Sequence, residues 1–360
     1  MIRIPLRLVA AVMVAVFVGA ACSGGGATVT ADVTTTAPPT AAPPTTTTTT
    51  TIPPTTTTST KTLPPRPTAP LTGLEVDAEI TRPAFVLKID NHEQARPQFG
   101  LNLADVVFEE LVEGNITRLA AVFHSQDADP VGPVRSARTG DYDLLRNLNT
   151  PLFGNSGGNA TVLRGLRNVD TIVLSDATVG AAAYYRVFSG RRAPHNLVTD
   201  TPTIYELAED QGGTPPALFE YREDGDELSP TATEVSTVRV DYGGYRIEYT
   251  WDAEVSGWAR TQQGTDHLDA DEVRVAPENV VIQFIRYSSS VAFAGSPHAE
   301  LIGSGDVWIL TDGHLIAGTW SRAGETDVTT YADATGAPIL LTPGRTWVAL
   351  PKADGATIIE

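Results

Sequence analysis

The sequence has 360 residues, of which 41% are hydrophobic and 19% charged, with one cysteine and a formal net charge of -18. This length suffices for two ordinary domains, and the composition excludes a multi-pass membrane protein and a disulfide-linked scaffold. The excess of negative charge argues against a nucleic acid or an anionic lipid as a partner bound through net charge.

The N-terminus has the pattern of a lipoprotein signal peptide, predicted to cover residues 1–21. Arg3 and Arg7 precede an apolar run at residues 8–18, which is short for a membrane-spanning helix, and small residues then lead to Cys22. A cleavage site directly before a lone cysteine resembles a bacterial lipobox. We therefore expect a lipid on Cys22 that anchors the protein in the bacterial cell membrane, facing outside the cytoplasm. The alternative is an ordinary secreted protein that is cleaved nearby.

Residues 22–70 are predicted to be a disordered Thr/Pro-rich tether. The segment consists mainly of Gly, Thr, Ala and Pro and includes two threonine runs, at residues 45–51 and 55–58. It offers too little apolar surface to offset the entropy of ordering. Its paired prolines favour extended polyproline geometry at roughly 3 Å per residue, so the segment can hold a domain away from the membrane.

Residues 71–212 are predicted to form an N-terminal α/β layered domain, because short apolar runs alternate with stretches of helical periodicity. The predicted strands, buried on both faces, lie at residues 85–89, 105–108, 119–123 and 171–174. Helices are expected at residues 139–148 and 161–168. A third helix is expected to begin at Asp200 or Thr201 as its cap, with Pro202 at the first helical position.

Residues 213–360 are predicted to form a mostly antiparallel β C-terminal domain, which makes the whole chain α+β. Its predicted strands lie at residues 238–242, 245–251, 258–261, 280–286, 307–311, 315–320 and 346–350. Asp312 and Gly313 separate two of these strands and favour a tight hairpin turn, because Asp-Gly tolerates the positive φ angles of such turns. The five tryptophans are expected to be core residues.

Polar residues cluster at the ends of the N-terminal strands and predict a charged crevice. Loops at the carboxyl ends of α/β strands meet at one edge of the sheet, and arginine binds carboxylate or phosphate with two parallel hydrogen bonds. The candidate crevice residues are Asp90, Asn91, Glu109, Glu110, Thr117, Arg118, Arg135, Ser136, Arg138, His195 and Asn196. The alternative is that these groups pair with one another beneath a loop.

Several segments carry a family resemblance. They are PLTGLEVD at residues 70–77, KIDNHEQARPQFGL at 88–101, ADVVFEELVEGNITR at 104–118, GPVRSAR at 132–138, RRAPHNL at 191–197, GSGDVWILTDGHLIAGTW at 303–320 and LTPGRTWVALP at 341–351. Together they resemble the YerB-like lipoprotein family, a two-domain family built on a domain of unknown function. The resemblance spans the chain from residue 71 onward and implies a lipid-anchored extracytoplasmic protein, but it implies no reaction.

Two catalytic patterns in the sequence are incomplete. Ser156 lies in a G-x-S-x-G sequence, and Asp176 and His195 follow it in the order of an α/β-hydrolase triad. The spacing is far tighter than that fold allows, which favours a plain glycine turn. The six histidines are scattered, and Asp141 and Asp143 form a D-x-D without the remainder of a calcium loop. We therefore predict neither a metal nor a cofactor.

Two functions remain open. The preferred hypothesis is a non-catalytic binding or scaffold protein, which holds a polar cell-wall component or an envelope protein in the crevice. The alternative is a cell-envelope hydrolase that uses Asp90, Glu109 or His195 as acid or base. Carboxylates that face each other across an open cleft would favour the hydrolase, whereas carboxylates buried against arginines would favour binding or structure.

Overall fold

A computed structural model describes residues 66–188 and 190–359 of the chain. The predicted signal peptide, the predicted lipidation site Cys22 and the predicted tether up to residue 65 lie outside the described residues. Within the described ranges, the helices are all too short or too polar to cross a membrane.

The first half of the described chain contains seven strands and three α-helices. The strands are β1 (Phe85–Asp90), β2 (Val106–Leu111), β3 (Thr117–Phe123), β4 (Leu152–Gly154), β5 (Ile172–Val173), β6 (Tyr185–Arg186) and β7 (Leu197–Val198). The helices are α1 (Asp141–Arg146), α2 (Ala160–Leu166) and α3 (Thr201–Ala208). Short 3-10 turns lie at Glu93–Ala95, Leu101–Leu103, Glu113–Asn115 and Gly180–Ala182.

The second half is built from strands. They are β8 (Thr233–Glu234), β9 (Thr237–Asp241), β10 (Arg246–Asp252), β11 (Gly257–Gln262), β12 (Thr265–Asp266), β13 (Asn279–Gln283), β14 (Tyr287–Ser290), β15 (Phe293–Ala299), β16 (Gly303–Thr311), β17 (His314–Arg322), β18 (Thr330–Asp333), β19 (Thr346–Ala349) and β20 (Ala356–Ile358). With only short helices in the first half, the chain is mostly β.

One mixed sheet contains strands from both halves of the chain. Its order is β18-β17-β16-β13-β19-β2-β3-β1-β4-β5, with β8 added beside β17. Strand β19 inserts between β13 and β2 and runs parallel to both, whereas β2 and β1 pair antiparallel with β3. A second sheet has the order β12-β11-β10-β9-β20 and is antiparallel. The pairs β14-β15 and β6-β7 form separate ribbons.

Alternate residues of the central strands are buried in two different cores, because successive side chains of a strand point to opposite faces. Phe85 on β1 belongs to the core that also contains Trp258 of the second sheet and Ile204 of α3. Val86 belongs to the opposite core, with Leu145 of α1. The large sheet is thus covered on both faces, which explains why its central strands carry apolar residues on both faces.

The predicted α/β layering is found only in part. Helices α1 and α2 cover one face of the sheet, but they have six and seven residues. Parallel pairing in the first half is limited to β1, β4 and β5. The α/β prediction rests on strands whose two faces are both apolar, which is typical of a parallel α/β sheet. Here the second sheet covers the face that helices would cover in a doubly wound fold.

The local signals for α3 and for the hairpin give the structures they predict. The carboxylate of Asp200 caps α3 by accepting a hydrogen bond from the amide of Thr203. Asp312 and Gly313 have φ angles of 48° and 73° and join β16 to β17, with Thr311 paired to His314. Both features are set by neighbouring residues, so periodicity and turn chemistry suffice to predict them.

Candidate functional site

The polar residues at the strand ends lie in one row across the sheet. Asp90 ends β1 and is paired in register with Arg118 of β3, which is paired in turn with Glu110 of β2. The antiparallel pairing of β3 with both neighbours brings its first residues beside the last residues of β1 and β2. The predicted crevice residues are therefore close in space, but their side chains enter three different environments.

The first environment is a buried network around Glu109, which we call the Glu109 cluster. Nη2 of Arg260 donates to both carboxylate oxygens of Glu109, at 2.7 and 2.9 Å, and both side chains are fully buried. Thr117 donates to the same carboxylate at 2.7 Å, and the Trp347 indole donates at 2.9 Å. Asn91 donates to Thr117 at 2.7 Å. Every one of these groups is shielded from solvent.

Residues of the second sheet complete the Glu109 cluster and were not predicted as site residues. Gln262 donates to Asn91 Oδ1 at 2.9 Å, and Nε2 of His267 lies 2.9 Å from Gln98 Oε1. Burial opposes the charge of Arg260, but the carboxylate of Glu109 raises its pKa above the ordinary value. A sequence signal existed, because Arg260 and Gln262 fall on the same alternate positions of β11 as the buried Trp258.

The second environment is a buried lysine with two carboxylates. Nζ of Lys88 lies 2.7 Å from Oε1 of Glu110 and 2.8 Å from Oδ1 of Asp141, and the lysine side chain is fully buried. Burial opposes the lysine's charge, but Asp141 and Glu110 raise its pKa above the ordinary value. This cluster fastens α1 to the sheet. Its sequence signal was a lysine inside an otherwise apolar strand.

The third environment, the Arg118 site, consists of Asp90, Arg118, Arg135, Arg138 and His195. Oδ2 of Asp90 lies 2.7 Å from Nδ1 of His195 and 3.1 Å from Nε of Arg135. Arg118 and Arg138 each direct Nη1 toward the same carbonyl oxygen, that of residue 136, at 3.5 and 3.4 Å. Arg135 is thus the arginine that pairs with Asp90, and Arg118 and Arg138 approach each other at the carbonyl oxygen of residue 136.

Arg138 and a neighbouring cavity form the outer part of this site. Arg138 pairs with Glu113 through Nη2 at 2.8 Å. Both residues line a cavity of about 290 Å³, together with Ser136, Phe293 and others. Phe293 belongs to β15 and is 62% exposed, so a ribbon from the second half of the chain borders the cavity. The cavity leaves room for a small polar group beside Arg138.

Arg118 differs from its neighbours because no carboxylate of the described residues forms an ion pair with its buried charge. The residue is 3% exposed, and among residues 66–188 and 190–359 no carboxylate lies within 4.0 Å of its guanidinium. Its Nε atom is buried without a hydrogen-bond partner. Burial, followed by the positive charge of Arg138, lowers the pKa of Arg118 to about 10. Such a group is costly in the free protein and gains most from a bound anion.

The remaining predicted residues serve the loops around the site. Asn196 is buried and accepts a hydrogen bond from Arg186 at 2.9 Å. This contact holds the loop of Asn196 in place and involves none of the arginines of the Arg118 site. Ser156 lies beside the site, because its amide donates to the carbonyl oxygen of Arg135. The carboxylate partner of His195 is Asp90, not the Asp176 that the hydrolase pattern would require.

Comparisons with known proteins agree with this fold. Residues 71–214 match the N-terminal domain of a protein family of unknown function, DUF3048, and residues 237–348 match the C-terminal domain of that family. A Bacillus subtilis (strain 168) protein described as "Putative lipoprotein YerB" is 31% identical over 305 residues, covering 81% of this chain and 88% of that protein. The crystal structure of YerB protein from Bacillus subtilis superimposes with a TM-score of 0.72 at 27% identity, covering 82% of this chain and all of that one.

The two matched regions define the class of protein as a two-domain family of unknown function, and here strands from both halves of the chain share one mixed sheet. The chain belongs to the YerB-like DUF3048 family. The resemblance of the sequence motifs to the YerB-like family is thereby confirmed.

Proposed function

We propose that this protein is a lipid-anchored extracytoplasmic binding protein, whose Arg118 site holds an anionic group of an envelope component. The predicted lipobox at Cys22, the tether and the lipoprotein name of the Bacillus subtilis relative support the location. The ligand's anionic group is a carboxylate or a phosphate, since both match the planar donor pattern of arginine.

The observation that carries the proposal is the uncompensated guanidinium of Arg118. Glu109 and Glu110 are paired by Arg260 and Lys88, and Arg138 has Glu113. Arg118 alone in this row lacks a carboxylate within ion-pair distance among the described residues. A folded protein retains a buried, unpaired cation at a cost in stability, which is typical of a binding site.

The test compares binding and stability in the same variant. Orthophosphate and acetate are titrated into the full chain in detergent by calorimetry, and unfolding in urea gives the free energy of unfolding. Arg118→Met is expected to abolish anion binding and to raise the free energy of unfolding by about 1–3 kcal/mol, because the buried charge is removed. Arg118→Lys retains the charge and is expected to retain weak binding.

Arg167→Ala is the matched control, because Arg167 is an exposed arginine at the C-terminal end of α2. We expect it to leave binding and stability unchanged. The proposal fails if Arg118→Met binds both anions like the unmodified chain, or if neither anion binds to the unmodified chain.

The location has its own test. Metabolic labelling with a palmitate analogue should label the protein in the membrane fraction, and Cys22→Ser should remove the label. Recovery of unlabelled protein from the cytosol would contradict a lipid anchor.

A hydrolase is the second candidate, supported by the pairing of His195 with Asp90. Nδ1 of His195 faces Asp90 at 2.7 Å, so Nε2 is the ring nitrogen available to a bound substrate. His195 would then be the acid or base, and Asp90 would orient its ring. Glu109 is buried and fully paired, which argues against a direct role in proton transfer.

A serine-reactive phosphonate probe tests the hydrolase with a nearby nucleophile. Labelling of Ser156 that is lost in His195→Gln would establish an activated serine beside the Arg118 site. An unlabelled chain would reject the serine mechanism.

A further inference from the structure

A second group of arginines without carboxylate partners lies beside the Arg118 site. Arg96, Arg191 and Arg192 line a cavity of about 780 Å³ together with Phe99. Among the residues that the structure describes, no carboxylate lies within 4.0 Å of any of these three guanidinium groups. In a chain with a net charge of -18, this is a local concentration of uncompensated positive charge.

Neutral groups hold two of these arginines in place. Arg191 donates to the carbonyl oxygens of Ala95, at 3.0 Å, and Pro97, and its guanidinium lies 4.6 Å from the centre of the Phe99 ring. Arg96 donates to the Tyr245 hydroxyl at 2.7 Å. These contacts fix the arginine side chains without neutralising them. A ligand therefore meets pre-positioned charges, which lowers the entropic cost of binding.

The cavity of Arg96, Arg191 and Arg192, which we call the basic groove, is linked to the Arg118 site through His92 and His195. Arg96 also lines an adjoining cavity of about 430 Å³, where His92 and Glu93 form part of the wall. The His92 ring stacks on His195 at a centroid distance of 4.7 Å. The amide of His195 donates to the carbonyl oxygen of Arg192 at 2.9 Å, so one tight turn joins the groove to the site.

The basic groove is larger than a single small anion would fill. A volume of about 780 Å³ is within the range that accommodates a drug-sized molecule, and one phosphate would leave most of it to water. The positive groups are spread over the groove, the adjoining cavity and the Arg118 site. A ligand that uses all of them carries several anionic groups along a chain.

We infer that the basic groove is a second anion-binding subsite, and that the ligand is an extended polyanion whose successive phosphate or carboxylate groups occupy the groove and the Arg118 site. This inference rests on the proposed function, because the Arg118 site binds one group of the same ligand. The inference restricts the class of ligand to polymers that carry repeated negative charges. Because the chain as a whole is acidic, a polyanion should bind only where these arginines lie.

The test separates the two subsites by ligand length. Orthophosphate, long-chain inorganic polyphosphate and poly-L-glutamate are titrated into the full chain over a range of salt concentrations. Arg191→Ala and Arg192→Ala are each expected to weaken binding of at least one polymer about tenfold and to reduce its salt slope by about one. Both variants should retain the orthophosphate binding of the Arg118 site, which Arg118→Met abolishes.

Arg167→Ala again controls for loss of a positive charge outside the two subsites and should change neither polymer's affinity. Polymer binding that is unaffected by Arg191→Ala and Arg192→Ala would overturn the basic groove while leaving the Arg118 site intact, provided that Arg118→Met still abolishes orthophosphate binding. Absence of binding by all three probes would overturn both. A preference for polyphosphate or for polyglutamate would identify the anionic group.

Discussion

Neutralising Glu109 should destabilise the protein more than any comparable change of a surface carboxylate. Glu109→Gln keeps the shape of the side chain but removes its charge, and it turns an amide group toward the donors of Arg260 or Trp347. Arg260 is fully buried and would lose the counter-ion that lies 2.7 Å away. The expected result is an uncompensated cation between the two sheets.

The magnitude follows from the burial of the pair. Removing one partner of a buried ion pair costs about 3–5 kcal/mol, since the remaining charge keeps its desolvation penalty. Four donor groups converge on Glu109: the Arg260 guanidinium, the Thr117 hydroxyl, the Trp347 indole and the Asn91 amide. An amide at this position accepts fewer of these hydrogen bonds, so we expect a loss in the upper part of that range.

Urea unfolding followed by tryptophan fluorescence measures the effect, because Trp258 and Trp347 are buried beside the cluster. Glu248→Gln is the matched control. Glu248 pairs with Arg239 at 2.7 Å, but the side chains of Arg239 and Glu248 are 41% and 33% exposed. Its loss should cost less than about 1 kcal/mol. Equal losses of unfolding free energy in the two variants would refute the claim that burial makes the Glu109 pair more stabilising than the Glu248 pair.

Three further predictions concern acid stability and the hairpin. Burial is the main cause that lowers the pKa of His124 to about 4. The protein should therefore lose up to about 3 kcal/mol of unfolding free energy as the pH falls from 6.5 to 4. In urea titrations, His124→Gln should flatten this pH dependence. Burial opposes the charge of Glu113, but hydrogen bonds from Arg138 and Ser296 lower its pKa from 4.5 to about 2. The ionised Glu113 contributes less than about 1 kcal/mol to the free energy of unfolding above pH 4.5, and this contribution is lost as the pH falls toward 2. The difference in unfolding free energy between Glu113→Gln and the unmodified chain should vanish over the same pH range. Gly313 has a φ of 73°, so Gly313→Ala should lower the melting midpoint and cost about 1–2 kcal/mol, whereas Gly324→Ala, at ordinary φ, should cost less.

The sequence by itself determined the local elements and the family. Alternating and continuous apolar runs located the central strands β1, β2 and β3, because a strand's side chains must match the faces that bury them. The cap of α3 and the hairpin after β16 follow from residues adjacent in the chain. Long motifs such as RRAPHNL identified the family, and the row of polar strand-end residues was also predictable.

Only the tertiary structure decided which of these polar residues are available to a ligand. Strand β19 enters the sheet beside β2, and β11 places Arg260 against Glu109. Such pairings join residues far apart in the chain, and local periodicity contains no information about their register. The partner of each buried charge therefore emerges only after folding. It is the lack of such a partner that distinguishes Arg118 from the other groups in its row.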